Sequence, residues 1–290
     1  MLRIRPSIAI AGIAMALLLV TTGGSGATAS DPPATRSYLA LGDSVVFGYI
    51  TQDGNAYVNA ANFIGYPELA GRDLKLEAVN ASCPGEASGG FQLTSSQAGY
   101  NDNGCTPYKA NFPLHVNYAR AATQMAFATN YLKTHHNTRL VTLGLGANDA
   151  FILLRTCGGS QSCLAAGLGV MAANLGSILA GIRATGYKGI LEVVNYYSLD
   201  YADPSQVGLT QLLNQFVTLN AAAHGAVIAD AFTGMENAAA SAGQHTCAAG
   251  LLNVAPGAEP SCDVHPSITG QQSIAQAVEA AYIAATHADD

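Results

Sequence analysis

Five short apolar runs, separated by stretches of helical spacing, limit what this chain can fold into. The runs are Tyr38–Leu41, Leu76–Val79, Arg139–Gly144, Gly189–Val194 and Ala226–Ala229. Helical patterning covers about 56–73, 117–133, 164–185 and 206–224, and a last stretch, 268–285, closes the chain. Strands that read as unbroken apolar runs are buried on both faces. Parallel neighbours need a crossover, usually a helix. The pattern therefore predicts an α/β fold: a three-layer α/β/α sandwich around a five-stranded parallel sheet. Analogy with flavodoxin-like folds gives the strand order 2-1-3-4-5. Segments 86–116 and 231–262 read as long irregular loops.

The first 29 residues do not read as folded protein. Arg3 and Arg5 precede an apolar run over 7–20, and small residues end in Ala27-Thr28-Ala29. This is the pattern of a secretory signal cleaved near Ala29, leaving residues 30–290 as one domain. The apolar run is about 14 residues, short for a bilayer span of roughly 20. No later stretch reads as long and apolar enough to span, so stable membrane insertion is not expected. The formal charge is −7; losing Arg3 and Arg5 with no acid makes it −9. An acidic chain without Lys/Arg clusters argues against nucleic acid as a partner. A monomer is expected.

Six cysteines on an exported chain read as three disulfides. They group as Cys83/Cys105, Cys157/Cys163 and Cys247/Cys262, and pairing between neighbours would close three local loops. A zinc site is the alternative, but the chain has no C-x-x-C and no histidine spaced to complete a set. No metal or cofactor is expected.

Four positions with chemical potential fall just after strands or in the last loop: Ser44, Gly85, Asn148 and the Asp263-Val-His265 segment. Each has a bland alternative. Ser44 could cap a helix, Gly85 could serve a turn, Asn148 could be a capping residue, and His265 could be a surface histidine. Jointly they map to one edge of a parallel sheet, the carboxyl end, where open α/β sheets bind ligands.

Gly42-Asp43-Ser44 with Gly48 resembles the first block of the GDSL, or SGNH, hydrolases. Gly85 within Asn80-Ala-Ser-Cys-Pro-Gly is similar to their second block, Gly146-Ala-Asn148-Asp149 to the third, and Asp263-Val-His265-Pro266 to the fifth. The blocks stand in family order and span nearly the whole mature chain. The cysteine pairs resemble those of secreted actinobacterial esterases and lipases of this family. The last block departs from the usual pattern. Cys262 stands three residues before the histidine, where an aspartate is often written, and Asp263 stands two before.

The resemblance implies a secreted serine hydrolase that cleaves carboxylic esters through an acyl-enzyme. A serine hydroxyl needs a base to take its proton, and His265 is the candidate. Asp263 would orient the ring, unless a backbone carbonyl does so. The implied oxyanion donors are the backbone N–H groups of Ser44 and Gly85 and the side-chain amide of Asn148. Lipid or simple acyl esters come first as substrates. A carbohydrate O-acetyl esterase and a glycan acyltransferase are the alternatives.

Overall fold

The computed structural model describes residues 36–288 apart from 53, 119–121 and 258–259. The leader expected over 1–29 lies outside the described residues. Five parallel strands form the main sheet: β1 (Ser37–Gly42), β2 (Glu77–Asn80), β3 (Thr138–Gly144), β4 (Ile190–Val194) and β5 (Val227–Ala229). Their order is β2-β1-β3-β4-β5, as expected. A separate antiparallel hairpin pairs β6 (Leu252–Val254) with β7 (Cys262–Pro266).

The helices are α1 (Ser44–Phe47), α2 (Tyr66–Leu74), α3 (Ser88–Gln92), α4 (Cys105–Asn111), α5 (Gln124–Thr134), α6 (Ala147–Cys157), α7 (Gln161–Ala184), α8 (Pro204–Ala223), α9 (Ala231–Ala239) and α10 (Ile268–Ala288). On one face of the sheet Leu39, Val141 and Val193 pack with Ala128 of α5, Leu175 of α7 and Val217 of α8. On the other, Tyr38, Ala40 and Leu140 pack with Ala70 of α2, Met235 of α9 and Ile274 of α10. Every residue of β1 is buried, because it lies between two strands and two helical layers.

Several boundaries differ from the sequence reading for identifiable reasons. The helix expected over 56–73 starts only at Tyr66, where Glu68 reaches back to the Gly65 N–H (2.9 Å) and Pro67 fixes the first turn. Residues 54–62 form two 3₁₀ turns instead. Thr123 accepts from the Ala126 N–H (3.1 Å) and starts α5 later than expected. Segment 86–116 holds α3 and α4, and 231–262 holds α9 and most of the hairpin. Asp230 caps α9 by accepting from the Thr233 N–H at 3.2 Å. The expectation that no later stretch could span a bilayer is also corrected: by length and composition α7 is long and apolar enough, with a mean hydropathy of 1.8 over its most apolar 18 residues. Gly167, Gly169, Gly176 and Gly181 weaken helix propensity but not hydropathy. Here Met171, Leu175, Ile178 and Leu179 of α7 enter the core.

All three cysteine pairs form between sequence neighbours: Cys83–Cys105, Cys157–Cys163 and Cys247–Cys262.

Glu192 of β4 is fully buried, and neither carboxylate oxygen has a hydrogen-bond partner among the described residues. Burial drives its pKa well above the ordinary carboxylate value. A folded-state pKa above the unfolded one means that stability falls as pH rises past the unfolded value. Replacing Glu192 by Met, of similar size, removes a burden on the order of 1–3 kcal/mol. The thermal midpoint at pH 8 should rise by roughly 2–4 °C for each kcal/mol recovered, and by less at pH 4. Scanning calorimetry at both pH values checks this; an unchanged or lower midpoint at pH 8 would refute it.

Candidate active site

The chain turns sharply where β1 ends. Gly42 has φ +145°, and a Cβ there would lie 2.1 Å from the Gly144 carbonyl oxygen of β3, so only glycine fits. Asp43, not Ser44, caps α1. One of its carboxylate oxygens accepts from the Val45 N–H (2.9 Å) and the other from the Tyr196 hydroxyl (2.5 Å). Ser44 is thereby left half-buried with its hydroxyl free of any capping role. Burial raises the Asp43 carboxyl to about 6, even though those hydrogen bonds and His265 pull it down.

His265 lies on β7, and its Nε2 is 3.1 Å from Ser44 Oγ. Tyr197 anchors this strand by donating its hydroxyl to the Val264 carbonyl at 2.6 Å. Asp263 Oδ1 accepts from the His265 backbone N–H (2.7 Å) and stands 3.5 Å from His265 Nδ1. Its Oδ2 accepts from the Thr51 N–H (3.3 Å) and Asn253 Nδ2 (3.1 Å). Burial alone would raise the Asp263 carboxyl; the imidazole beside it and these N–H donors reverse that and hold it well below its ordinary value. His265 Nδ1 is buried without a hydrogen bond among the described residues, to a backbone carbonyl or otherwise. The carboxylate at 3.5 Å is thus poised beside it, a small rotation from hydrogen-bonding length.

Gly85 follows β2 with φ +83°, and a Cβ would collide with Gly104 Cα at 2.7 Å and the Asn103 carbonyl oxygen at 2.8 Å. Asn148 is buried in the first turn of α6. Its Oδ1 accepts from Asn103 Nδ2 (2.6 Å), which leaves its Nδ2 unengaged among the described residues. Asp149 ties the same turn to α3, accepting from the Ser88 N–H (2.8 Å) and hydroxyl (2.7 Å) and from Asn101 Nδ2 (2.9 Å). Ser44, Gly85, Asn148 and His265 all line one cleft of about 430 Å³, whose walls include Phe151, Leu154 and Leu213. Asp263 does not line it. His245 pairs with Asp200 at 3.1 Å, outside the cleft.

A sequence model of the GDSL-like lipase/acylhydrolase family matches residues 40–272. The chain belongs to this family. As a GDSL-like acylhydrolase it is a carboxylic ester hydrolase. Solved structures share its fold at low sequence identity. One is an α/β hydrolase enzyme from the metagenome of Lake Arreo, Spain (TM-score 0.51, 17% identity, covering 86% of this chain and 96% of that one). Another is a mutant of an acetyl-xylooligosaccharide esterase from Geobacillus stearothermophilus (0.51, 13%, 85% and 94%). A third is phospholipase A1 from Streptomyces albidoflavus NA297 (0.50, 18%, 86% and 100%). No curated protein matches the sequence significantly.

Tyr196, Gln124 and Glu86 stand around the site without having been assigned to it from the sequence. Gln124 at the start of α5 accepts from the Gly42 N–H (2.9 Å), and its Nε2 donates to the Gly42 carbonyl (2.7 Å) and to Glu86 (2.9 Å). One side chain so fixes the serine turn of this hydrolase to the loop after Gly85. Glu86 is buried, which raises its carboxyl to about 8 despite the Gln124 amide. Gln124→Leu strands polar groups on both sides. We expect a loss of about 2–4 kcal/mol in urea unfolding, from unsatisfied buried groups at about 1–3 kcal/mol each; a loss below about 1 kcal/mol would deny the clamp its role.

Proposed function

We propose that this acylhydrolase works through Ser44 as nucleophile and His265 as general base. The single observation that carries this is the 3.1 Å approach of His265 Nε2 to Ser44 Oγ on the wall of the cleft. Ser44 Oγ attacks the ester carbonyl carbon while its proton passes to His265 Nε2. The charge formed on the carbonyl oxygen is held by the N–H groups of Ser44 and Gly85 and by Asn148 Nδ2. Collapse expels the alcohol, which takes the proton from His265, and water repeats the sequence to release the acid. Asp263 steadies the imidazolium. The apolar walls at Phe151, Leu154 and Leu213 support an acyl chain longer than acetyl. Residues 1–29 act as an export signal, in keeping with the three disulfides.

Ser44→Ala should lower kcat by roughly 10⁴–10⁶-fold with the thermal midpoint preserved, and a fluorophosphonate probe should label Ser44 in the wild type alone. Retained turnover in Ser44→Ala would sink the mechanism. Asp263→Asn should cost less than His265→Ala, because the carboxylate stands off Nδ1; an equal loss would give Asp263 the fuller role. Over a series of p-nitrophenyl esters, kcat/KM should rise from acetate toward octanoate. A maximum at acetate would favour a carbohydrate O-acetyl esterase.

A further inference from the structure

We propose that Asn103 is a positioning residue of the oxyanion site, coupling its two outlying donors and reading its polarity from Arg155. The inference rests on the roles just given to Gly85 and Asn148.

Asn103 makes three contacts, one with the loop after β2 and two with α6. Its backbone N–H donates to the Gly85 carbonyl at 3.0 Å. Its Nδ2 donates to Asn148 Oδ1 at 2.6 Å, and its Oδ1 accepts from Arg155 Nη2 at 2.6 Å. Asn148 and Arg155 are seven residues apart on α6, hence on one face two turns apart. Asn103 bridges them from the opposite loop. That loop is held firmly: Asp102 accepts from the N–H groups of Gly104 (2.8 Å), Cys105 (2.7 Å) and Thr106 (2.9 Å), and Cys105 is bonded to Cys83, two residues before Gly85.

The polarity of the relay follows from the donor inventory. A carboxamide can present either end, but a guanidinium can only donate. Arg155 therefore fixes Oδ1 of Asn103 toward itself, which turns Nδ2 toward Asn148. Asn148 must answer with its own Oδ1, and its Nδ2 is left for the cleft. Without this chain the Asn148 amide is free to turn its oxygen toward the developing oxyanion, replacing attraction with repulsion. A group that sets the orientation of a donor acts on the transition state more than on the ground state.

Asn103→Asp tests this directly. The carboxylate keeps the Arg155 contact but cannot donate to Asn148. We expect kcat to fall by about 10²–10³, the range for losing one oxyanion donor, with KM within about twofold and the thermal midpoint unchanged or higher. The same loss should appear in affinity for a boronic acid that forms a tetrahedral adduct on Ser44. In an Asn148→Ala background, Asn103→Asp should change kcat by less than about threefold, because coupled residues are not additive. Asn103→Ser, which removes the amide with little bulk, serves if the aspartate variant folds poorly. Unchanged kcat in a folded variant, or an equal loss in both backgrounds, would overturn the proposal while leaving Ser44 catalysis standing. Hydrolysis that survives Ser44→Ala would overturn the catalytic reading itself.

Discussion

The contact between Ser44 and His265 joins residues 221 apart in sequence, and most of the surrounding structure holds that contact in place. Closing so long a segment is unfavourable in chain entropy, so the join is braced on each side. The sheet fixes the serine end: Gly42 lies in register with Gly144, and the Asp43 N–H donates to the Gly144 carbonyl at 3.1 Å. The histidine end stands on a two-stranded hairpin that is marginal by itself. Tyr197 and Thr51 tie it to neighbouring segments, Asn253 of β6 donates to Asp263 of β7 within it, and Cys247–Cys262 tethers the start of β7. Gln271 of α10 spans the two halves, accepting from the Tyr66 N–H at 2.8 Å and donating to the Val45 carbonyl at 2.9 Å.

Burial sorts the acids around this contact into two kinds. Asp43, Glu86 and Asp149 are pushed up by desolvation, while Asp263 is pulled down by its donors and His265. The signs oppose each other in stability. For Asp43 and Glu86, stability is lost as pH rises from the unfolded carboxylate value through about 6 and about 8 respectively. Asp263 contributes stability above its unfolded value, and acid removes it. The carboxylate nearest the imidazole is thus the one whose ionised form its surroundings favour, as suits a partner for an imidazolium. Asp43 sits deeper, spends its oxygens on Tyr196 and Val45, and serves geometry first.

The sheet was legible in the sequence because strands buried on both faces leave continuous apolar runs, and because Gly42 and Gly85 stand where backbones approach too closely for a side chain. Three of the candidate site residues were legible for a related reason: Ser44, Gly85 and Asn148 each follow a strand, and the topology gathers strand ends. Residues recruited sideways left no such mark. Gln124 is an ordinary polar residue at the start of an amphipathic helix, and its work on Gly42 exists only once α5 lies beside β1. Asn103 and Arg155 lie in a stretch read as loop and in a helix, α6, that was not recognised. Tyr196 follows β4, where packing and function look alike until Asp43 is found beneath it.

The disulfides complete the same division of labour. None of their cysteines lies within a strand of the main sheet, whose parallel ladder and two apolar layers hold it. They close the segments that carry the site and have few ladder hydrogen bonds of their own: Cys83–Cys105 around Gly85 and Asn103, Cys157–Cys163 at the turn between α6 and α7, and Cys247–Cys262 beside Asp263. Oxyanion donors act by being aimed before charge develops, so that no reorganisation is needed during reaction. Loops alone would sample many orientations at room temperature. Anchoring them covalently at the carboxyl edge of a sheet lets an irregular segment aim the proposed donors about as firmly as a regular one would.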